Sequence, residues 1–167
     1  MADVWVCNAS PLILLHRIGH LRLLSKLCNS IVIPQCVIEE VLPYEDDMTE
    51  WKAFLGFPNV SKLNNAIIIE PQIAGWDLGK GESEVLSWAV KHPGYEAILD
   101  DLEARKCART IGVQLRGTIG IILLAKEKGL IPKATPLARA LIDAGLRFDT
   151  KWLDAALELV GEGLNTH

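Results

Sequence analysis

An α/β domain with a central, mainly parallel sheet and helices on both faces is the fold class this sequence predicts. Three observations carry it. Short, apolar, β-prone runs alternate with longer runs of helical periodicity. Those short runs read as buried strands, as in sheets covered on both faces. Proline and glycine mark the junctions between strands and helices. Right-handed crossovers follow from such an order. No internal repeat, linker or low-complexity tract divides residues 1–167, so one domain is expected.

Val4–Cys7 reads as the first strand. It ends at Asn8-Ala9-Ser10-Pro11, where Pro11 suits a first helical turn and Ser10 its N-cap. Residues 12–18 continue that helix, and Gly19 stops it. Residues 20–27 form a second helix, with Leu21, Leu24 and Leu27 at core spacing. Ser30–Ile33 is a strand closed by Pro34. The helix over 35–42 places Val37 and Val41 on one face, with Glu40 beside them and Glu39 on the far side. Residues 44–61 are acid-rich and hold Pro58, which predicts an exposed excursion with a helix over Met48–Leu55. The next strand is expected at 66–69, ended by Glu70-Pro71. Leu78-Gly79-Lys80-Gly81 makes a turn into a helix over 82–91. There Glu82, Val85, Leu86 and Ala89 share the core-facing stripe, and Glu84 lies with Trp88 and Lys91 on another face. A central strand at 97–99 runs into Asp100-Asp101. Helices over Leu102–Ile111, 119–128, 132–144 and 148–160 follow, with a short last strand at 113–115. The tail after Gly161 is expected to fray.

Half of the residues are hydrophobic and 23% are charged, which excludes a disordered chain. The longest apolar run, 119–125, is too short to cross a bilayer. The first ten residues carry an early acid and no basic run, unlike a signal peptide. Cys7, Cys28, Cys36 and Cys107 show no CxxC spacing and have apolar flanks. Reduced, buried thiols and a cytoplasmic location are therefore expected, rather than disulfides or zinc. A net charge of -4 argues against a chain that coats nucleic acid all over. Residues 101–147, however, hold nine Lys/Arg against four acids, a net +5 that leaves -9 for the remainder. That division suits a metal held in one place and a phosphate backbone in another. Solvated helix faces give the same count.

Asp100 and Asp101 sit at the carboxyl end of a strand, where open α/β sheets bind ligands. Adjacent carboxylates repel unless a cation or a proton intervenes; the plainer account makes one of them a helix N-cap. Glu40 edges an apolar stripe, where a lone carboxylate is costly. Glu82 opens a helix, where the dipole tolerates negative charge. Asn8 and Ser10 follow the first strand. Strand ends gather at one edge of a parallel sheet, so acids meeting there would make an oxygen site for Mg2+ or Mn2+. Such an ion can activate water and stabilise charge on a phosphodiester. Arg105, Lys106, Arg109 and Arg116 are the candidate phosphate contacts, with Thr118 at a helix start.

Other motifs fail. His16 and His20 are four apart, but no Glu follows His16 as in HExxH, and a surface or packed pair is the better reading. Residues 75–80 fall one short of a P-loop and lack the Ser/Thr after the lysine. Trp5, Trp51, Trp76, Trp88 and Trp152 form no stacking ladder and read as core or interface.

Five segments in order carry a family resemblance: NASPLI at 8–13, IPQCVIEEV at 33–41, LGKGESE at 78–84, ILDDLEARK at 98–106 and RGTIGIILLAKEKGLIP at 116–132. Together they resemble the PIN domain, the nuclease fold of bacterial VapC-like toxins, and most closely a VapC-like subfamily. The resemblance implies a three-layer sandwich and a divalent-metal-dependent ribonuclease, the toxin half of a toxin–antitoxin pair. It implies that Glu40, Glu82 and Asp100 or Asp101 hold Mg2+ or Mn2+, directly or through water, and that Ser10 orients a ligand or water. An RNA substrate, a cognate antitoxin and a second copy in a homodimer are the implied partners. Asn8 departs from the pattern, which has Asp at this strand end, although part of the subfamily shares the Asn. One neutral oxygen replaces a carboxylate, which weakens a cation site. That leaves open a second reading, a catalytically weak PIN-fold module gripping RNA or a protein. A third is an α/β interaction protein whose acids merely cap helices.

Overall fold

The structure, a computed structural model, describes residues 3–44 and 48–163. The acid run at 45–47 in the expected excursion, and the tail from 164, lie outside the described residues.

Five strands form one all-parallel sheet: β1 (Val4–Cys7), β2 (Ser30–Ile33), β3 (Val60–Lys62), β4 (Tyr95–Ile98) and β5 (Leu115–Arg116). Their order is β3-β2-β1-β4-β5, with Val6 of β1 opposite Val32 on one side and Ala97 on the other. Trp5, Val6 and Cys7 are almost wholly buried. Successive strand residues face opposite ways, so both faces of the sheet are covered.

The helices are α1 (Ala9–Arg17), α2 (Arg22–Leu27), α3 (Gln35–Val41), α4 (Met48–Leu55), α5 (Pro71–Ala74), α6 (Lys80–Lys91), α7 (Leu102–Ile111), α8 (Thr118–Glu127), α9 (Thr135–Asp143) and α10 (Thr150–Glu158). A 3-10 turn at Leu42–Tyr44 follows α3. α6 packs on β1, β4 and α7, and α8 packs on α1, α2 and α9. Among the described residues no helix is long and apolar enough to cross a membrane. All four cysteines are free, and Cys36 alone of them is only half-buried.

Two expectations about the sheet fail together. The third strand, Val60–Lys62, begins inside the stretch 44–61 expected to be an exposed excursion. Its entry is clamped by Asn59, whose Nδ2 donates to the carbonyls of Ser25 (2.7 Å) and Cys28 (3.1 Å). Residues 66–69 are not a strand, because the side chains of α6 take their polar backbone groups. The Ile67 amide donates to Glu84 Oε1 at 2.8 Å, the Glu70 amide to Ser87 Oγ at 3.0 Å, and Lys91 Nζ donates to the Ile68 carbonyl at 2.6 Å. The segment is a strap across α6. It buries Glu84 to 2% exposure, against the expectation that Glu82 is the acid turned inward.

The chain passes from β1 outward to β2 and β3, then returns to place β4 on the other side of β1. The carboxyl ends of β1 and β4 are thus a topological switch point, the place where such sheets open a crevice. Asn8 follows β1, and Asp100 and Asp101 follow β4. The Asn8 amide donates to the Ile98 carbonyl at 3.0 Å, which ties the two strand ends together.

Candidate active site

An open cleft of about 510 Å³ lies at the switch point. Asn8, Ser10, Glu40, Glu82, Asp100 and Asp101 all line it, together with Arg17 and Arg147. Six residues from four separate stretches of the chain therefore line one cleft. Arg17 Nη1 is tied to the Ala144 carbonyl at 2.9 Å.

Each polar residue is placed by a specific bond. Asn8, not Ser10, is the N-cap residue of α1, and its side chain makes no capping bond. Its Nδ2 instead donates to Glu82 Oε1 at 3.1 Å. Ser10 is the second residue of α1, inside the helix rather than at its cap, and its hydroxyl donates to Asp100 Oδ2 at 3.1 Å. Asp100 also accepts from the Thr118 amide (Oδ1, 2.7 Å) and the Thr118 hydroxyl (Oδ2, 2.6 Å). This carboxylate thus caps α8 from outside, where the helix dipole favours a negative charge. Asp101 caps its own helix, α7, accepting the Ala104 amide at 2.9 Å. The two neighbouring aspartates divide their work, and both still face the cleft.

Gly81 explains the glycine within LGKGE. A Cβ there would stand 2.7 Å from Asn8 Oδ1 and 3.3 Å from Glu40 Oε2. Its absence lets α6 approach β1 and lets those two oxygens flank one point. Asn8 is buried, and its Oδ1 has no hydrogen-bond partner among the described residues. Such an orphaned acceptor is uncommon and costly. Beside it, Glu40 has its pKa raised, first by burial and then by the charge of Glu82. Glu39 points elsewhere and accepts from Gln35 Nε2 at 3.3 Å.

These features fit a hard divalent ion in chemistry. The donors are all oxygens, one buried acceptor is unused, and neighbouring carboxylates repel. As the side chains stand they do not close on a common point: among the described residues no three His, Cys, Asp or Glu side chains are gathered to hold an ion. Asn8 bonds Glu82 and faces Glu40 across Gly81, while Asp100 is held by Ser10 and Thr118.

The candidate phosphate contacts separate. Arg105 and Arg109 line a groove that adjoins the cleft and shares Asp100 with it. Lys106 is exposed and paired with Glu103 at 2.9 Å. Arg116 Nε is bound by Glu96 at 2.7 Å. Thr118 is fully buried, its amide and hydroxyl both given to Asp100. Arg17 and Arg147 went unmarked as site residues, since no local pattern brings residue 17 or the turn after α9 to this edge of the sheet. His16 Nδ1 lies 3.3 Å from Glu50 Oε2, a packed histidine rather than a ligand.

No curated protein matches the sequence. A family model described as DUF3368, PIN domain, matches residues 4–162, which takes in every strand and helix described above. By that match, and by the parallel sheet with its acid-lined switch point, the chain belongs to the PIN-domain family, a nuclease-type fold.

Proposed function

We propose that this chain is a divalent-metal-dependent endoribonuclease of the VapC-like kind, the toxin half of a toxin–antitoxin pair that works as a homodimer. The observation carrying the catalytic part is the meeting of Asn8, Glu40, Glu82, Asp100 and Asp101 in one cleft where β1 and β4 part. The toxin role, the antitoxin and the dimer rest on the five-segment resemblance.

Glu40, Glu82 and the aspartate pair would hold Mg2+ or Mn2+, with Asn8 Oδ1 as a neutral donor. The ion would supply an activated water and charge neutralisation on the phosphodiester. The chain's own residues position the site. Ser10 and Thr118 lock Asp100 in one rotamer. Asn8 Nδ2 fixes Glu82, and the same bond turns Asn8 Oδ1 over Gly81 toward Glu40. Partial burial and the charge of Glu82 raise the pKa of Glu40.

The test is incubation of purified chain with end-labelled single-stranded RNA, in Mn2+ and in EDTA. Cleavage is expected in Mn2+ only, and lost in Glu82→Gln and in Asp100→Asn combined with Asp101→Asn. No cleavage together with no Mn2+ effect on melting would overturn the reading. Asn8 favours a second reading, a weak or inactive PIN module that binds RNA or a protein. Activity that appears only in Asn8→Asp would select it.

A further inference from the structure

Beside the acidic cleft runs a second groove of about 730 Å³, lined by Arg105, Arg109, Arg147, Phe148 and Trp152. Asp100, Leu102, Leu146 and Arg147 line both, so the two are continuous. Trp152, on the first turn of α10, is 68% exposed. An indole left in solvent forgoes the large burial gain that aromatic side chains normally provide. Leu102 at the junction is 72% exposed.

The charges point the same way. Arg105 and Arg109 are four apart on α7 and so share one helix face. Burial first, and then the charge of Arg109, pull the Arg105 pKa down, with Asp100 opposing. Arg109 and Arg147 are exposed, and neither forms an ion pair among the described residues. Of the groove's two acids, Asp149 accepts the Lys151 amide through Oδ1 at 2.9 Å at the start of α10, and Asp100 is held by Ser10 and Thr118. Three arginines and an exposed indole lining one groove complement a ligand that is anionic and flat.

We propose that this groove is a nucleotide subsite, in which Trp152 stacks on an unpaired base while Arg105, Arg109 and Arg147 hold the phosphates of the strand entering the acidic cleft. The inference rests on the nuclease reading and narrows its substrate to single-stranded RNA. Only an unpaired base offers its face to an indole, and stacking of this kind tolerates any base. An acidic peptide would also suit the arginines, but an unpaired base supplies as well the flat face that the exposed Trp152 indole can stack on.

The test measures anisotropy of a short fluorescein-labelled RNA of mixed sequence, in EDTA so that the strand stays intact. Trp152→Ala is expected to weaken binding about 5- to 150-fold, and Trp152→Phe to retain most of it. RNA should quench tryptophan emission in the wild-type chain and fail to do so in Trp152→Phe. Arg109→Gln and Arg147→Gln should each weaken binding and lower the salt slope by about one. A duplex of the same sequence should bind without the Trp152 effect. These side chains are exposed, and circular dichroism checks that each variant folds. Equal RNA binding by all variants would overturn the subsite and leave the nuclease reading standing. A Trp152-dependent affinity for polyglutamate without any for RNA would make the groove a protein-docking face and overturn it too. A wild-type chain that neither binds nor cleaves RNA would remove both.

Discussion

Replacing Asn8 by Asp would set two carboxylates where the chain now has an amide donating to a carboxylate. Asn8 Nδ2 lies 3.1 Å from Glu82 Oε1, and Asn8 is 3% exposed. Two unit charges at that spacing repel by about 1 kcal/mol in water and by roughly 5 kcal/mol at an effective dielectric near 20. Protonation sets a ceiling. Keeping one carboxyl protonated at pH 7 costs at most about 4 kcal/mol, given about 1.4 kcal/mol per pH unit above a pKa near 4. Asn8→Asp should therefore lose about 1–4 kcal/mol in EDTA at pH 7, and Tm should fall by about 3–12 °C for a chain of this size. The sign with pH follows. The carboxyl pair holds a proton more readily folded than unfolded, so the deficit is absent below about pH 4 and grows as pH rises toward 7. A divalent ion replaces the missing proton, so Mn2+ should raise Tm more in Asn8→Asp than in the wild-type chain. Melting at both pH values, in EDTA and in Mn2+, reads all of this. If the variant melts with the wild type in EDTA at pH 7 and gains no more from Mn2+, then these two side chains do not face each other, and the cleft geometry is refuted.

Two further perturbations probe the supports of the site and of the fold. Thr118→Val keeps the packing of a fully buried residue but removes the 2.6 Å bond to Asp100. It should cost about 1–3 kcal/mol in urea denaturation, and RNA cleavage in Mn2+ should fall with it; unchanged stability would show that the Thr118 hydroxyl does not bind Asp100, whose bond from the Thr118 amide the variant keeps. Glu162 accepts from the Ala134 amide (2.8 Å), the Thr135 amide (3.0 Å) and the Thr135 hydroxyl (2.9 Å) at the start of α9, with Lys126 at 3.6 Å. Burial pushes its pKa up, but these bonds and Lys126 together outweigh burial and leave it lowered. Its stabilising effect is therefore present above the ordinary carboxylate pKa and lost as pH falls through the lowered folded value. Glu162→Gln should cost about 1–2 kcal/mol at neutral pH and close the gap with wild type in acid; a gap of equal size at both ends would refute the assignment.

The parts of the fold legible in the sequence are those whose signal is local and apolar. β1 and β2 are largely buried runs ended by Asn8 and Pro34, and they stand where expected, while β4 begins two residues before the expected 97–99, at the half-buried Tyr95, and ends at Ile98. β3 was hidden because only Val60 of its three residues is buried; Ser61 and Lys62 are exposed on an edge strand. Residues 66–69, Ala-Ile-Ile-Ile, carry the stronger strand propensity and yet form the strap, because Glu84, Ser87 and Lys91 bind their backbone. Tertiary context overrides β-propensity there. The same strap makes Glu84 a buried acid, which helical periodicity had turned away from the core. Trp152 reads as core or interface on composition, yet it stands exposed on α10, lining a groove with Arg105 and Arg109 of α7.

The site was legible for a different reason: it is topological. In a parallel sheet every strand end points to one edge, so Asn8 and the aspartates had to come together once the strands were placed. What no local pattern settles is how Asp100 and Asp101 differ. Asp101 bonds an amide three residues away, as any N-cap would, whereas Asp100 bonds Thr118, 18 residues on, across β5. That partner exists only because β5 lies beside β4 and delivers the start of α8 to the same edge. Asp100 is therefore fixed by the sheet order and Asp101 by its own helix. A change that shifts β5 should release Asp100 while leaving Asp101 in place.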